Sequence, residues 1–145
     1  MGTPLDEIFD RFYSLIKDTD LAKLDDEDLY KLTKVYYEMA ATRFKECKNN
    51  LELVQDEEGN YYTVDKLTIE EQNIIAQGMI LYWVESKANY NKLMKNQINT
   101  KDYNQLSNAN VLLRLNELLD YYRKNFLRQR KAYSRRMDDD FNGWG

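Results

Sequence analysis

The chain has 145 residues, of which 43% are apolar and 32% are charged, and its formal net charge at pH 7 is −4. This length and composition predict a single soluble globular domain. The sequence contains no histidine and one cysteine, Cys47. Catalytic triads, histidine-metal sites, an internal disulfide and a zinc site of several cysteines are therefore excluded within it.

One proline and five glycines among many helix formers predict an all-α fold, a four-helix bundle with two long helices. The first helix is expected to have Thr3 as its cap and Pro4 in its first turn, and to end near residues 18–20. The acidic run 25–28 predicts the start of a second helix, about Glu27–Lys48, because carboxylates stabilise a helix N-terminus.

Residues 51–64 interrupt the helical pattern. Two β-prone runs flank the polar turn sequence 56–60, which predicts either a small hairpin or an ordered loop. An isolated hairpin is marginally stable in water, so a hairpin here needs a surface to pack against.

A third helix is predicted over about Ile69–Asn96, where Thr68 and Glu71 have the spacing of a capping box. Gly78 lies inside it, although glycine in a helix interior costs about 1 kcal/mol relative to alanine. We interpret this glycine as a point of close approach by another helix. Trp83 is expected in the core.

A fourth helix is predicted from a Ser107 cap to about Arg135, on the spacing of its apolar residues. The last residues lack a helical pattern and predict an extended C-terminal tail. The chain therefore divides into a helical domain, residues 1–136, and a tail, residues 137–145.

Charge is unevenly distributed along the chain. Residues 1–60 carry 15 acidic and 8 basic side chains, whereas residues 121–136 carry seven basic side chains and no acidic one, interleaved with aromatic residues. Three interpretations remain open for the basic segment. It complements the macrodipole at a helix C-terminus, it binds nucleic acid, or it forms a protein-binding surface.

Nothing in the sequence indicates catalysis. Paired carboxylates at 25–26, 57–58 and 70–71 fall at helix starts or in a polar loop, where capping and solvation explain them. The run 56–60 lacks the alternating ligands of a calcium loop, and no glycine has phosphate-loop spacing. We therefore predict a protein that is not an enzyme and has no cofactor or metal.

The order of elements resembles the small helical head-to-tail connector (adaptor) proteins of tailed bacteriophages. The similarity covers about residues 5–136 as a pattern of elements. The residues that carry it are Phe44 and Cys47, Leu67, Thr68 and Glu71, Met79 and Trp83, Lys101-Asp102-Tyr103, Ser107, Ala109 and Leu112, and Tyr133-Ser134-Arg135.

The resemblance implies a structural virion protein at the head–tail interface, assembled in the host cytoplasm. Such proteins form a homo-oligomeric ring, commonly of twelve copies, that joins the portal to the next neck or tail protein. In several members the C-terminal segment docks on the portal. The portal-binding residues predicted here are Arg128, Lys131, Tyr133, Ser134, Arg135, Arg136, Met137, Phe141 and Trp144.

The excursion at residues 51–64 is expected to meet a neighbouring copy or the downstream neck protein through Leu53, Val54, Tyr61 and Tyr62. DNA would pass through the ring without specific binding, because an acidic lining avoids phosphate neutralisation. No membrane contact is expected. Two alternatives remain: a nucleic-acid-binding regulator that uses residues 121–136, and another neck component for head closure or tail completion.

Overall fold

The structure is a computed structural model that describes residues 2–16, 24–97 and 109–142. These residues form the elements α1 (Leu5–Leu15), α2 (Asp26–Arg43), β1 (Leu53–Gln55), β2 (Tyr61–Thr63), α3 (Ile69–Gln97) and α4 (Ala109–Asn142). Most of the described residues are helical. The predicted all-α class with four helices, two of them long, is confirmed.

Helix α1 begins differently from the prediction. Pro4 occupies the cap position and provides no side-chain hydrogen bond to the helix. Thr3, the predicted cap, is buried, and its Oγ1 accepts a hydrogen bond from the backbone N–H of Leu67 at 2.9 Å. Thr3 therefore ties the start of the chain to the approach to α3. Helix α1 ends at Leu15, and the predicted end at residues 18–20 lies outside the described residues.

Helix α2 begins as the acidic run predicts, because Asp25 caps it by accepting a hydrogen bond from the backbone N–H of Asp28 at 2.7 Å. It ends at Arg43 and not at Lys48. Phe44 leaves the helical conformation with φ −84° and ψ 63°, and its side chain is buried. The segment after it turns back towards α3.

The excursion at residues 51–64 contains an antiparallel hairpin whose register pairs Leu53 with Thr63 and Gln55 with Tyr61. The chain start packs along the far edge of β2. The backbone N–H of Gly2 donates to the Thr63 carbonyl, and that of Thr63 donates to the Thr3 carbonyl, both at 2.9 Å. The surface that the hairpin needs is thus supplied by the chain itself.

Helix α3 is the central element, since it packs against α1, α2 and α4. At Gly78 a built Cβ atom would lie 2.8 Å from Cζ of Phe126 and 2.9 Å from Cβ of Ala40. The predicted close approach is therefore confirmed, with α2 and α4 both meeting α3 at this glycine. Trp83 is half-buried and packs against the core.

Helix α4 runs to Asn142, beyond the predicted end at Arg135. Residues 137–142 are helical, so the prediction of an extended conformation is wrong for them. Two features explain the continuation. No glycine or proline occurs between residues 109 and 142, and Met137 still packs against the core. Across the described residues, no helix is both long enough and apolar enough to cross a membrane.

Candidate functional site

The basic segment of α4 presents four cationic side chains to solvent on one side of the helix. Lys124, Arg128, Lys131 and Arg135 are exposed and follow one another at steps of three or four residues, the spacing of one helix face. We call them the cationic face. Lys124 pairs with Asp120 at 2.9 Å. Arg128 donates to Oδ1 of Asn125 at 2.7 Å, which holds its guanidinium against the helix.

Exposed apolar side chains accompany the cationic face. Leu127 is 42% exposed and Tyr121 is 58% exposed, and both lie on the half of α4 that faces away from the core. Near the start of the same helix, Leu113 is 57% exposed. Arginine and tyrosine are enriched at protein interfaces relative to the rest of the surface.

Arg130 lies in the same basic segment but points towards the core. Its guanidinium donates to the carbonyl of Arg43 at 2.8 Å and lies 3.5 Å from a carboxylate oxygen of Glu46. It also lies over the ring of Phe126, 4.5 Å from the centroid. Because the last carbonyls of a helix lack partners within it, Arg130 caps the C-terminus of α2 from a neighbouring helix.

Arg136 also has a partner within the chain, since it forms an ion pair with Glu70 at the start of α3. Both side chains are partly exposed. Reversing the charge of Arg136 would place two carboxylates together. Substitutions at Lys131 and Arg135 therefore test the predicted portal-binding role without disturbing the ion pair between Arg136 and Glu70.

Tyr133 was predicted to contact the portal, and the structure corrects this. The side chain is 1% exposed and packs edge-on against Phe44, with ring centroids 5.2 Å apart. Its hydroxyl donates to Oε2 of Glu71 at 2.7 Å and accepts from the backbone N–H of Lys48 at 2.9 Å. Tyr133 is a core residue that anchors α4.

The other predicted portal contacts differ in accessibility. Ser134 and Met137 are half-buried, and Met137 packs against the core. Phe141 lies in the last turn of α4, but its side chain lies outside the described residues, as does the whole of Trp144.

The hairpin residues divide between its two faces. Leu53 packs against the core, and Tyr61 stacks on Tyr30 with ring centroids 6.4 Å apart. Val54, on the opposite face, is 38% exposed. Tyr62 is half-buried, and the nearby Asp56 carboxylate raises the pKa of its hydroxyl. Among the predicted contact residues, Val54 is thus the most open to a partner.

The spacing of the capping box is confirmed, but Glu71 does more than cap α3. Its side chain is 1% exposed. Oε1 accepts from the backbone N–H of Thr68 at 2.9 Å and from Nδ2 of Asn49 at 2.7 Å. Oε2 accepts from Tyr133 and, at 3.3 Å, from Sγ of Cys47. One carboxylate therefore joins the loop after α2, the start of α3 and the end of α4.

The ionisation of Glu71 reflects two opposing effects. Burial removes water from the carboxylate and favours the neutral form, but the hydrogen bonds from Tyr133, Thr68, Asn49 and Cys47 favour the charged form and leave the pKa below its usual value. Burial also raises the pKa of Cys47 to about 12. The thiol is therefore protonated at neutral pH and able to donate to Glu71.

The lowered pKa of Glu71 makes the stability of the folded protein depend on pH. The charged form is favoured in the folded state, so its stabilising contribution is present above the unfolded-state pKa and is lost as pH falls through the folded-state pKa. We expect the difference in unfolding free energy between the wild-type protein and Glu71→Gln to narrow between pH 7 and pH 3. Urea unfolding followed by circular dichroism measures it. A difference that stays constant with pH would contradict this assignment.

Open grooves lie on the described surface, and one of about 350 Å³ between α1 and α2 is lined by Asp6, Asp10 and Asp26. One of about 610 Å³ lies between α2 and β1, and one of about 450 Å³ lies between the start of α3 and α4. Within residues 2–16, 24–97 and 109–142, no group of three or more acidic or cysteine side chains is placed to hold a metal ion.

No protein-family model, curated protein or solved structure matches this chain.

Proposed function

We propose that this protein is a structural component of a tailed-bacteriophage neck, forming a ring that joins the portal to the next neck or tail protein. The observation that carries the proposal is the cationic face of α4, with exposed Leu127 and Tyr121 beside it. Side chains of this kind dominate the energetics of many protein interfaces, because arginine and tyrosine offer large contact areas and directional hydrogen bonds.

The helix that carries this face is firmly held, which suits an assembly contact. Phe126 and Tyr133 are each 1% exposed, and Tyr133 is hydrogen-bonded to both Glu71 and Lys48. A face presented by a fixed helix loses little conformational freedom when a partner binds. In this proposal the cationic face docks on the portal.

The acidic first half of the chain supplies a second element of the proposal. Asp6, Glu7 and Asp10 are exposed on α1, and Asp26 and Glu27 are exposed at the start of α2. If these carboxylates line the ring, they repel the phosphates of DNA and let it pass without being held. Ring formation, virion location and the number of copies belong to the same proposal.

The cationic face provides the test. Lys131→Glu with Arg135→Glu is expected to reduce capture of the portal protein of the same virus by about tenfold or more, because opposite charges across an interface are replaced by like charges. The control is Lys45→Glu with Lys66→Glu, which makes the same change in net charge at exposed positions outside α4. Pull-down quantifies capture, and electron microscopy of the complex shows whether a ring forms.

Equal capture by the two double variants would overturn the assignment of the portal surface. The row of cations also supports a second candidate function, which is DNA binding through the phosphate backbone. Titration of duplex DNA at several salt concentrations distinguishes the two. A steep loss of affinity with salt that depends on Lys131 and Arg135 would favour the DNA-binding regulator.

A further inference from the structure

Among the residues that the structure describes, no strand pairs with the outer edge of β1. In an antiparallel pair, hydrogen-bonded and non-hydrogen-bonded positions alternate. The backbone N–H of Val64 donates to the Glu52 carbonyl at 2.8 Å, and that of Asp56 donates to the Asn60 carbonyl at 2.9 Å. These bonds fix the alternation, so the backbone N–H and C=O groups of Leu53 and Gln55 point away from β2.

The outer edge of β2 is covered at Thr63. Thr63, the register partner of Leu53, uses its outward backbone groups on Gly2 and Thr3. Within the described part of the chain, the segment before α1 thus covers the edge of β2 at Thr63, whereas no backbone bond to the outward groups of Leu53 and Gln55 is found. An edge of this kind is a template for one more strand.

The uncovered edge borders the groove of about 610 Å³ between α2 and β1. Tyr37 and Ala41 contribute to the wall on α2, and Leu51 and Leu53 contribute to the wall on the hairpin side. Charged and polar side chains line the rest of the groove. The groove therefore combines apolar patches on both walls with unpaired backbone groups. This is the arrangement that proteins use to bind an extended peptide by strand addition.

The charges around the edge indicate the chemistry of the added strand. Glu52 is exposed at one end of β1, and Asp56, Glu57 and Glu58 form the turn at the other end. Lys34, on the α2 wall, already lies 3.7 Å from Glu38 and 4.1 Å from the ring centroid of Tyr61. Asp56 accepts hydrogen bonds from the backbone N–H groups of Glu58 and Asn60 within the turn, and the charge beside the edge is acidic on balance.

A second copy of β1 is a poor occupant of this edge in the register that would pair Leu53 of each copy with Gln55 of the other. Two copies paired antiparallel about Val54 would place Glu52 of each directly opposite Asp56 of the other, and like charges in such pairs are destabilising. A strand with basic side chains on this face would instead meet Glu52 and Asp56 favourably. Because strand side chains alternate, its other face would place apolar residues towards the groove.

We infer that β1 binds an extended segment of a partner protein by strand addition, with alternating basic and apolar side chains. The backbone groups of Leu53 and Gln55 supply the hydrogen bonds, and the groove receives the apolar side chains. This inference does not depend on the proposed ring or portal contact, which uses α4.

Gln55→Pro provides a selective test. Proline removes the N–H of Gln55, which points outward, and leaves the ladder between β1 and β2 in place. Gln55→Ala is the matched control, because it removes the same side chain, including its bond to the Gly59 carbonyl, and keeps the N–H. The probe is a fluorescein-labelled ten-residue peptide of alternating valine and lysine, and a valine–glutamate peptide of equal length tests the charge requirement.

The expected result is saturable binding of the valine–lysine peptide to the wild-type protein and to Gln55→Ala, with about tenfold weaker binding to Gln55→Pro. Peptide binding should also slow hydrogen exchange of the Leu53 and Gln55 amides. Lack of binding to the wild-type protein, equal affinity of the two variants, or equal binding of the valine–glutamate peptide would overturn the inference. So would a concentration-dependent dimer whose formation protects the same two amides, since the occupant would then be a second copy.

Discussion

Replacing Glu71 by alanine is expected to lower the free energy of unfolding by about 3 kcal/mol. The carboxylate is buried and accepts hydrogen bonds from Asn49, Thr68, Tyr133 and Cys47. Alanine leaves these donors without their acceptor. It also leaves a cavity where the carboxylate had joined three segments of the chain. Urea unfolding at pH 7, followed by circular dichroism, measures the loss.

Glu70→Ala is the matched control, because Glu70 is the adjacent residue on α3 and is partly exposed. Its ion pair with Arg136 is a surface pair of the kind that contributes about 0–1 kcal/mol. Tyr133→Phe completes the experiment, since it removes one hydroxyl and keeps the ring. The two losses should be strongly non-additive in the double variant, because both substitutions break the same bond. Similar losses for Glu70→Ala and Glu71→Ala would contradict the central role of Glu71.

Helix positions were predictable where a short-range signal exists. The capping box and the apolar spacing predict a third helix over about Ile69–Asn96, and it is observed over Ile69–Gln97, because both signals are local. The hairpin was one of two alternatives, and the strands around the turn at residues 56–60 favour it for the same reason. Gly78 was also interpretable from sequence, because glycine inside a helix is costly unless something requires it.

The environment of Tyr133 was not predictable in this way. Its spacing within a basic and aromatic segment fits an interface as well as a core. The choice between them depends on Glu71, which is 62 residues away in sequence. Only the packing of α4 on α3 brings the two together. The predicted ends of α2 and α4 are wrong for a related reason, because both depend on contacts with the core. Phe44 leaves the helical conformation and is buried, which ends α2 early, and Met137 packs against the core, which extends α4.

The basic segment at residues 121–136 shows how one sequence feature divides in three dimensions. Arg130 caps α2, and Arg136 pairs with Glu70. Lys124, Arg128, Lys131 and Arg135 remain on the exposed face. The first interpretation of this segment was that it complements the macrodipole of its own helix. Arg130 does stabilise the fold, but it does so at the C-terminus of α2 and not at that of α4. In the proposed function, the cationic face is the part of the segment that binds a partner.

Gly78→Val is expected to destabilise the protein by about 3 kcal/mol, because it overpacks the point where three helices meet. Even the first atom of the new side chain would lie 2.9 Å from Cβ of Ala40 and 2.8 Å from Cζ of Phe126. Arg130 lies over the other contact, the Phe126 ring, with its guanidinium 4.5 Å from the ring centroid. Cβ of Ala40 is attached directly to the backbone of α2, so α2 itself must shift.

Ser86→Val is the matched control for this substitution. Ser86 lies on the same helix and is exposed, so it reports the effect of a β-branched residue in α3 without the clash. Thermal and urea unfolding of both variants measure the difference. Gly78→Ala in an Ala40→Gly background separates the two contacts, because it moves one methyl group from α2 to α3 and relieves the contact with Ala40 alone. We expect this double variant to recover part of the stability that Gly78→Ala loses. Equal stability of Gly78→Val and Ser86→Val would show that α2 and α4 do not pack closely against α3 at Gly78.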